Sequence, residues 1–219
     1  MEFIQQLVNG ISLGSIYALI ALGYTMVYGI VKLINFAHGD VFMVGAFIGF
    51  YAITILELSF LPALLLSMTA CAILGVLIER IAYKPLRNAT RIAALITAIG
   101  VSLFIEYGMI YIRGAQIEAY PNDVLPSSNI DILGVTVKSQ SILILAVAIC
   151  LMVLLQVIVH RTKIGRAKRA VSDDADKAKL MGISVNNTIS ATFAIGSALA
   201  GAAGVIFGVY YTRIEPLMG

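Results

Sequence analysis

Four stretches of this chain, residues 3–31, 58–78, 139–160 and 180–212, contain no Asp, Glu, Lys or Arg at all. Each reaches the roughly 20 residues needed to cross a hydrocarbon core about 30 Å thick. One such run in a soluble protein reads as a buried core helix, but repetition of runs this long argues against that. Charged residues make up only 12% of the chain and hydrophobic ones 60%, whereas about a quarter of a soluble domain is charged. The chain is therefore read as an all-α, polytopic integral membrane bundle forming a single domain over residues 1–219.

The placement of charge sets the topology. Arg80, Lys84, Arg87 and Arg91 lie between the third and fourth apolar segments, and Arg161, Lys163, Arg166, Lys168, Arg169, Lys177 and Lys179 between the fifth and sixth. These are 11 of the 15 Lys and Arg residues, so both loops are expected to be cytoplasmic. Membrane orientation accounts for these basic runs without a nucleic-acid partner. Six segments follow, at about 5–31, 41–57, 59–78, 92–112, 139–160 and 186–212, with the N-terminus outside. Glu57 then falls on an external turn, as does the 113–138 loop, where Glu118, Asp123 and Asp131 outnumber Arg113 and Lys138.

Several enzyme and cofactor classes find no support. Cys71 and Cys150 fall in mid-membrane and read as small apolar residues. No spacing suits a metal or a disulfide framework, and no nucleophile–base pair is evident. Glu2 and the length of the first run argue for a retained membrane segment over a cleaved signal. Apolar positions flanking Gly134 suggest a short external hairpin. Gly10, Gly14 and Ala18 share one helical face, Gly45 and Gly49 another, and Gly196, Ala200, Gly204 and Gly208 a third. Such small-residue faces let helices approach closely in lipid, so they are expected to serve helix packing and a subunit interface.

The 161–183 loop, "RTKIGRAKRAVSDDADKAKLMGI", is the most informative polar segment. Asp173 is expected to cap a short helix and to pair with Lys177 four residues on. Ala175 and Ala178 give that helix a small, smooth face, and Gly182 ends it. Such a helix suits docking into a groove on a cytoplasmic partner; an inert helix held by lipid headgroups fits the pattern equally well.

Three blocks carry a family resemblance: "NGISLGSIYALIALGYTMVYGIVKLINFAHGDVFMVGAF" (9–47), "ERIAYKPLRNATRIAALITAIGVSLF" (79–104) and "GRAKRAVSDDADKAKLMGISVN" (165–186). In that order they resemble branched-chain amino acid ABC importer permeases of the LivH type. The resemblance implies a coupling loop at 165–183 contacting the nucleotide-binding subunit, with Arg166, Arg169, Ala170, Asp174, Ala178 and Gly182 at the matching positions. It further implies ATP-binding subunits that hold ATP and magnesium, an extracytoplasmic substrate-binding protein, and a second permease subunit, homologous or identical. No cofactor is expected in this chain, which has no G-x-x-x-x-G-K-[ST] loop. Members of the family continue for about two further helices, so a chain stopping at "IEPLMG" is expected to be truncated at its C-terminus. Relatives carrying urea or short amides keep the cargo open. An ion-coupled secondary transporter and a non-transporting membrane scaffold are the remaining alternatives.

Asn35, His38, Gly39, Asp40 and Glu106 are the candidate pathway residues. As one helix the first uncharged run is about 43 Å long, too long for the core it crosses. Either residues 35–40 form a cytoplasmic turn with Asp40 capping the second helix, or they break the helix inside the bundle. A break is tolerated only beside protein or a water-filled path, and in transporters it offers N–H groups to a substrate carboxylate. Glu106 lies about 21 Å beyond Ile92 along the fourth segment. There it would face a substrate ammonium, a buried cation or the outer interface.

Overall fold

The uncharged runs become helices. A computed structural model of the chain describes residues 2–87, 89–121, 124–125, 129–132 and 135–219. Six of its helices are long and apolar enough to span a membrane. They are α1 (Glu2–Val31), α2 (Ala37–Thr54), α3 (Phe60–Ile78), α4 (Arg91–Arg113), α5 (Ser139–Arg161) and α8 (Val185–Tyr211). Two shorter helices, α6 (Lys163–Asp173) and α7 (Ala175–Leu180), occupy the longer basic loop. The largest boundary difference is at the second segment, which starts at Ala37 instead of 41.

The centre of the bundle is α8, packed against α1, α2 and α3. Its glycines and alanines make this possible, because without large side chains the neighbouring backbones come into contact. A Cβ at Gly196 would lie 2.8 Å from the Gly23 carbonyl oxygen of α1. At Gly204 a Cβ would strike the Phe42 carbonyl and lie 2.7 Å from the Ala46 nitrogen of α2. Gly45 of α2 meets the Gly201 backbone, and Gly49 meets Val205. Ser67 of α3 fastens the three helices, its Oγ donating to the Gly45 carbonyl at 2.8 Å and lying 3.3 Å from that of Gly201. Cys71 packs on Gly201 one turn further on, whereas Cys150 is exposed on α5. Gly10 and Gly14 differ from the others: no described atom lies within 4 Å of where their Cβ would stand. The packing expected of them is not made among the described residues. Helices α4 and α5 are peripheral, α4 resting on α2 and α5 on α1.

The two ends of the bundle are finished differently. At the end bearing the basic loops, α3 runs into a π turn, Glu79–Tyr83, closed by the Lys84 N–H on the Glu79 carbonyl at 2.7 Å. Widening the turn by one residue re-phases the helix and brings Glu79, Ala82 and Tyr83 inward. At the opposite end, β1 (Glu118–Ala119) pairs antiparallel with β4 (Arg213–Ile214) and lowers Tyr120 into the bundle. The buried Tyr120 hydroxyl donates to the Ala46 carbonyl at 3.0 Å, and its ring fills the space beside Gly208. The hairpin expected around Gly134 is present as β2 (Asn129–Ile132) and β3 (Val135–Lys138). Gly134 itself and Asp123 lie outside the described residues.

Candidate functional site

Residues 35–40 lie inside the bundle. A Cβ at Gly23 would stand 2.7 Å from the Gly196 carbonyl and 3.1 Å from the His38 ring, so the three residues share one level. Gly23 is eight residues before the end of α1 and Gly196 eleven after the start of α8. That level is therefore about 12–16 Å in from the ends of those helices. Lys32, at φ +55, turns the chain out of α1, and the next residues climb back to start α2 at this depth. The reading of 35–40 as a turn at the bundle's end is corrected. So is Asp40 as a cap: α2 begins three residues earlier, at Ala37, and no side chain caps it.

Each polar group of the segment faces a different neighbour. Asn35 Oδ1 accepts from the Tyr83 hydroxyl at 2.9 Å, tying the start of α2 to the π turn. His38 is 2% exposed, its ring edge-on to Tyr24 with centroids 5.8 Å apart. The Ile20 carbonyl lies alongside that ring without regular hydrogen-bond geometry, and neither ring nitrogen has a partner among the described residues. Gly39 packs against Gly219 and has no room for a side chain. Asp40, also buried, reaches the Ser102 hydroxyl of α4 and interacts electrostatically with Glu106 one turn further on. Its Oδ2 keeps no partner among the described residues. The fold thus brings Asp40 and half-buried Glu106 together, two helices apart in sequence. Among the described residues no three acidic, His or Cys groups are gathered as a metal site.

The basic loop folds back on the bundle. Thr162 caps α6 by accepting from the Gly165 N–H at 3.1 Å, and Ser172 donates to the Gly29 carbonyl of α1. Arg169 is bound to the Val159 carbonyl and Ala170 packs on the core, while Arg166 stays exposed. The cap of α7 is Asp174, not Asp173. Asp174 has the extended backbone a cap requires, and its Oδ1 accepts from the Asp176 and Lys177 N–H groups, both at 3.0 Å. Asp173 is spent as the last residue of α6, and the ion pair is Asp174–Lys177 at 3.0 Å. Gly182, at φ +79, ends the helix as expected.

The small face of α7 points inward, contrary to expectation. Ala178 is buried and Ala175 packs on the core, because a short helix can lie close to a larger body only through its smallest side chains. The outward tip is Leu180 and Met181, 87% and 81% exposed, rimmed by Asp176, Lys177 and Lys179.

Hydrogen bonding to the Lys177 amide, with the Lys177 side chain and the Asp176 amide, holds the Asp174 carboxyl below the usual carboxylate range. A depressed folded-state value means the cap contributes fully above the unfolded value and loses its effect as pH falls through the folded one. Protection of the Asp176 and Lys177 amides, taken against the intrinsic exchange rate at each pH, should therefore fall on acidification in the wild type. In Asp174→Asn this acid-dependent loss of protection should be absent.

One polar cluster was not singled out in the sequence. Glu79, 0% exposed, is paired with Arg87 and accepts from Ser190 Oγ at 2.6 Å; Arg87 also donates to Asn186 Oδ1. It joins the π turn to the start of α8, just beyond α7. Its signal in the sequence was an acid at the end of an apolar run with a cation eight residues on, a spacing no regular helix brings together. Tyr120 left no signal beyond its place in a loop.

The model for the permease component of branched-chain amino acid transport systems matches residues 6–219. The high-affinity branched-chain amino acid transport system permease protein BraD of Pseudomonas aeruginosa is 42% identical over 231 aligned positions, covering 100% of this chain and 75% of that protein. The corresponding LivH of Escherichia coli is 38% identical over 230 positions with the same coverage. The probable branched-chain amino acid transport permease protein LivH of Methanocaldococcus jannaschii is 30% identical over 215 positions, covering 94% of this chain and 66% of that protein. No solved structure matches the chain. Six spanning helices and permease relatives make it a multi-pass protein of the cytoplasmic membrane. A match along nearly the whole sequence, onto a helical bundle that buries a polar break at its centre, places this chain in the family of permease components of branched-chain amino acid transport systems.

Proposed function

We propose that the chain is the membrane-spanning subunit of a binding-protein-dependent ABC importer that moves leucine, isoleucine and valine into the cell. The carrying observation is the family match over residues 6–219, with relatives named for this transport system. ATP and magnesium are bound and ATP is hydrolysed in separate subunits, an external binding protein delivers the cargo, and a second permease subunit completes the pore. The basic loops face the cytoplasm and the N-terminus lies outside. The apolar bundle with a few polar groups at α2 supports an aliphatic cargo with charged ends, and Asn35, His38, Gly39, Asp40 and Glu106 flank its path. The exposed Leu180–Met181 tip supports α7 as the element that meets the ATPase.

Proteoliposomes carrying the assembled complex test this. Leucine uptake should require ATP and resist uncouplers; uptake that collapses with the proton gradient while ATP is present would instead favour an ion-coupled carrier. Preference for urea or an amide over leucine would overturn the cargo. Leu180→Asp with Met181→Asp should cut recovery of the ATPase subunits about tenfold or more, the scale of an apolar hot spot. Undiminished recovery would remove the α7 tip from the contact.

A further inference from the structure

A groove of about 490 Å³ lies between α1 and the start of α2, bounded by Tyr17, Tyr24 and Thr25 on one side and Asn35, His38 and Gly39 on the other. We propose that this groove binds the carboxylate of an aliphatic amino acid, with the His38 ring and the unpaired N–H groups of the first turn of α2 as donors. The proposal deepens the importer reading and rests on it.

Two independent observations meet here. The first is a helix start left open. No side chain caps α2. Of its first-turn amides, that of His38 is bonded to the Asn35 carbonyl at 3.2 Å and that of Asp40 to its own carboxyl, which leaves those of Ala37 and Gly39 without a partner among the described residues. The remaining amides, with the positive end of the helix dipole, favour an anion. The second is His38 itself, buried in the groove wall with both ring nitrogens unpartnered among the described residues. Packing against Gly23 and Tyr24 explains where the ring sits. Apart from the Ile20 carbonyl alongside, which makes no regular hydrogen bond, it gives the nitrogens nothing to bond among the described residues, and a buried donor is costly to leave unmade. A neutral imidazole carries one N–H, enough for one carboxylate oxygen.

Asp40 lies about 200° around the helix from His38; its carboxyl takes up its own amide and faces Ser102 and Glu106 on α4, so it occupies one amide of the first turn and leaves the groove side to the others. The rest of the groove, including Ile20, Ala21 and Phe36, is apolar and receives the aliphatic chain.

The test is displacement of labelled leucine from the assembled complex in detergent by two half-ligands, isovalerate with a carboxylate alone and isopentylamine with an ammonium alone. Isovalerate should compete and isopentylamine should not. His38→Ala should weaken leucine binding about tenfold or more, as expected for one hydrogen bond to a charged group, and His38→Gln should recover most of it through its amide donor. Ala21→Trp, at an exposed position on the groove wall, should block binding without disturbing the buried packing. Equal competition by the amine, or His38→Ala and Ala21→Trp both binding as wild type, would overturn the site while leaving ATP-driven leucine uptake intact. Displacement by phosphatidylglycerol vesicles but not by isovalerate would also overturn it, assigning the groove to lipid. Failure of the wild type both to bind and to transport leucine would defeat the importer reading as well.

Discussion

Arg87→Ala is expected to destabilise the protein by about 3–5 kcal/mol, the cost of leaving one member of a buried ion pair alone. The Glu79 carboxylate would remain fully buried with, among the described residues, only the Ser190 hydroxyl to bond it. For a chain of this length that corresponds to a fall of roughly 6–20 °C in the unfolding midpoint. Glu79→Gln combined with Arg87→Gln should recover much of the loss, since two neutral amides can bond each other and their Ser190 and Asn186 neighbours. Thermal unfolding of Arg87→Ala beside the wild type, Glu79→Gln, Arg87→Gln and their double variant in one detergent, the last four read as a double-mutant cycle, checks this. Additive losses would mean that the pair does not act as a unit. Because Asn186 and Ser190 lie in the first two turns of α8, the helix that follows α7, the same cycle measured on ATPase coupling would show whether the cluster carries motion into α8.

Gly204→Leu should be more severe. At this position even a Cβ would strike the Phe42 carbonyl and crowd the Ala46 nitrogen. Backbone cannot move aside as a side-chain tip can, so α2 and α8 must separate. Separation also pulls Gly45 from Gly201 and threatens the Ser67 bonds that join α2, α3 and α8. The loss is expected to exceed about 3 kcal/mol, beyond ordinary overpacking, and to appear as failure to accumulate as a monodisperse species. Gly10→Leu and Gly14→Leu provide the contrast, for their Cβ positions are open. The isolated chain should tolerate both. If these faces meet a second permease subunit, the loss would appear only in assembly. Equal damage at Gly14 and Gly204 would mean that close packing within the bundle does not distinguish them, since helix propensity favours Leu over Gly at both.

The six spans were legible because each is set by a one-dimensional property, an apolar run of sufficient length with at most one charge in its interior, with basic residues gathered between two pairs of them. The turn at Gly182 was legible too, as a local backbone requirement. The errors have one physical origin. Asp40 as a cap, Asp173 as a cap and Ala178 as an outward face were all inferences about which way a short segment points. Direction depends on where a helix starts, and starts shift by a few residues. Four residues at α2 moved Asp40 from a cap to the helix's own first turn, and one residue at α7 exchanged Asp173 for Asp174.

The sequence alone determined that this chain lives in a bilayer, how many times it crosses, and to which family its motifs belong, because charge, hydropathy and motif order are properties of the chain itself. Only the tertiary structure decided that α8 is the centre of the bundle, that Tyr120 is lowered into it, and that Glu79 meets Arg87 across a π turn. It alone put His38 deep between α1 and α8 with its nitrogens unused. Those facts depend on contacts between residues far apart along the chain. In lipid, where apolar side chains gain little by meeting each other, such contacts are selected by the fit of small residues and the pairing of polar ones, which no local pattern records.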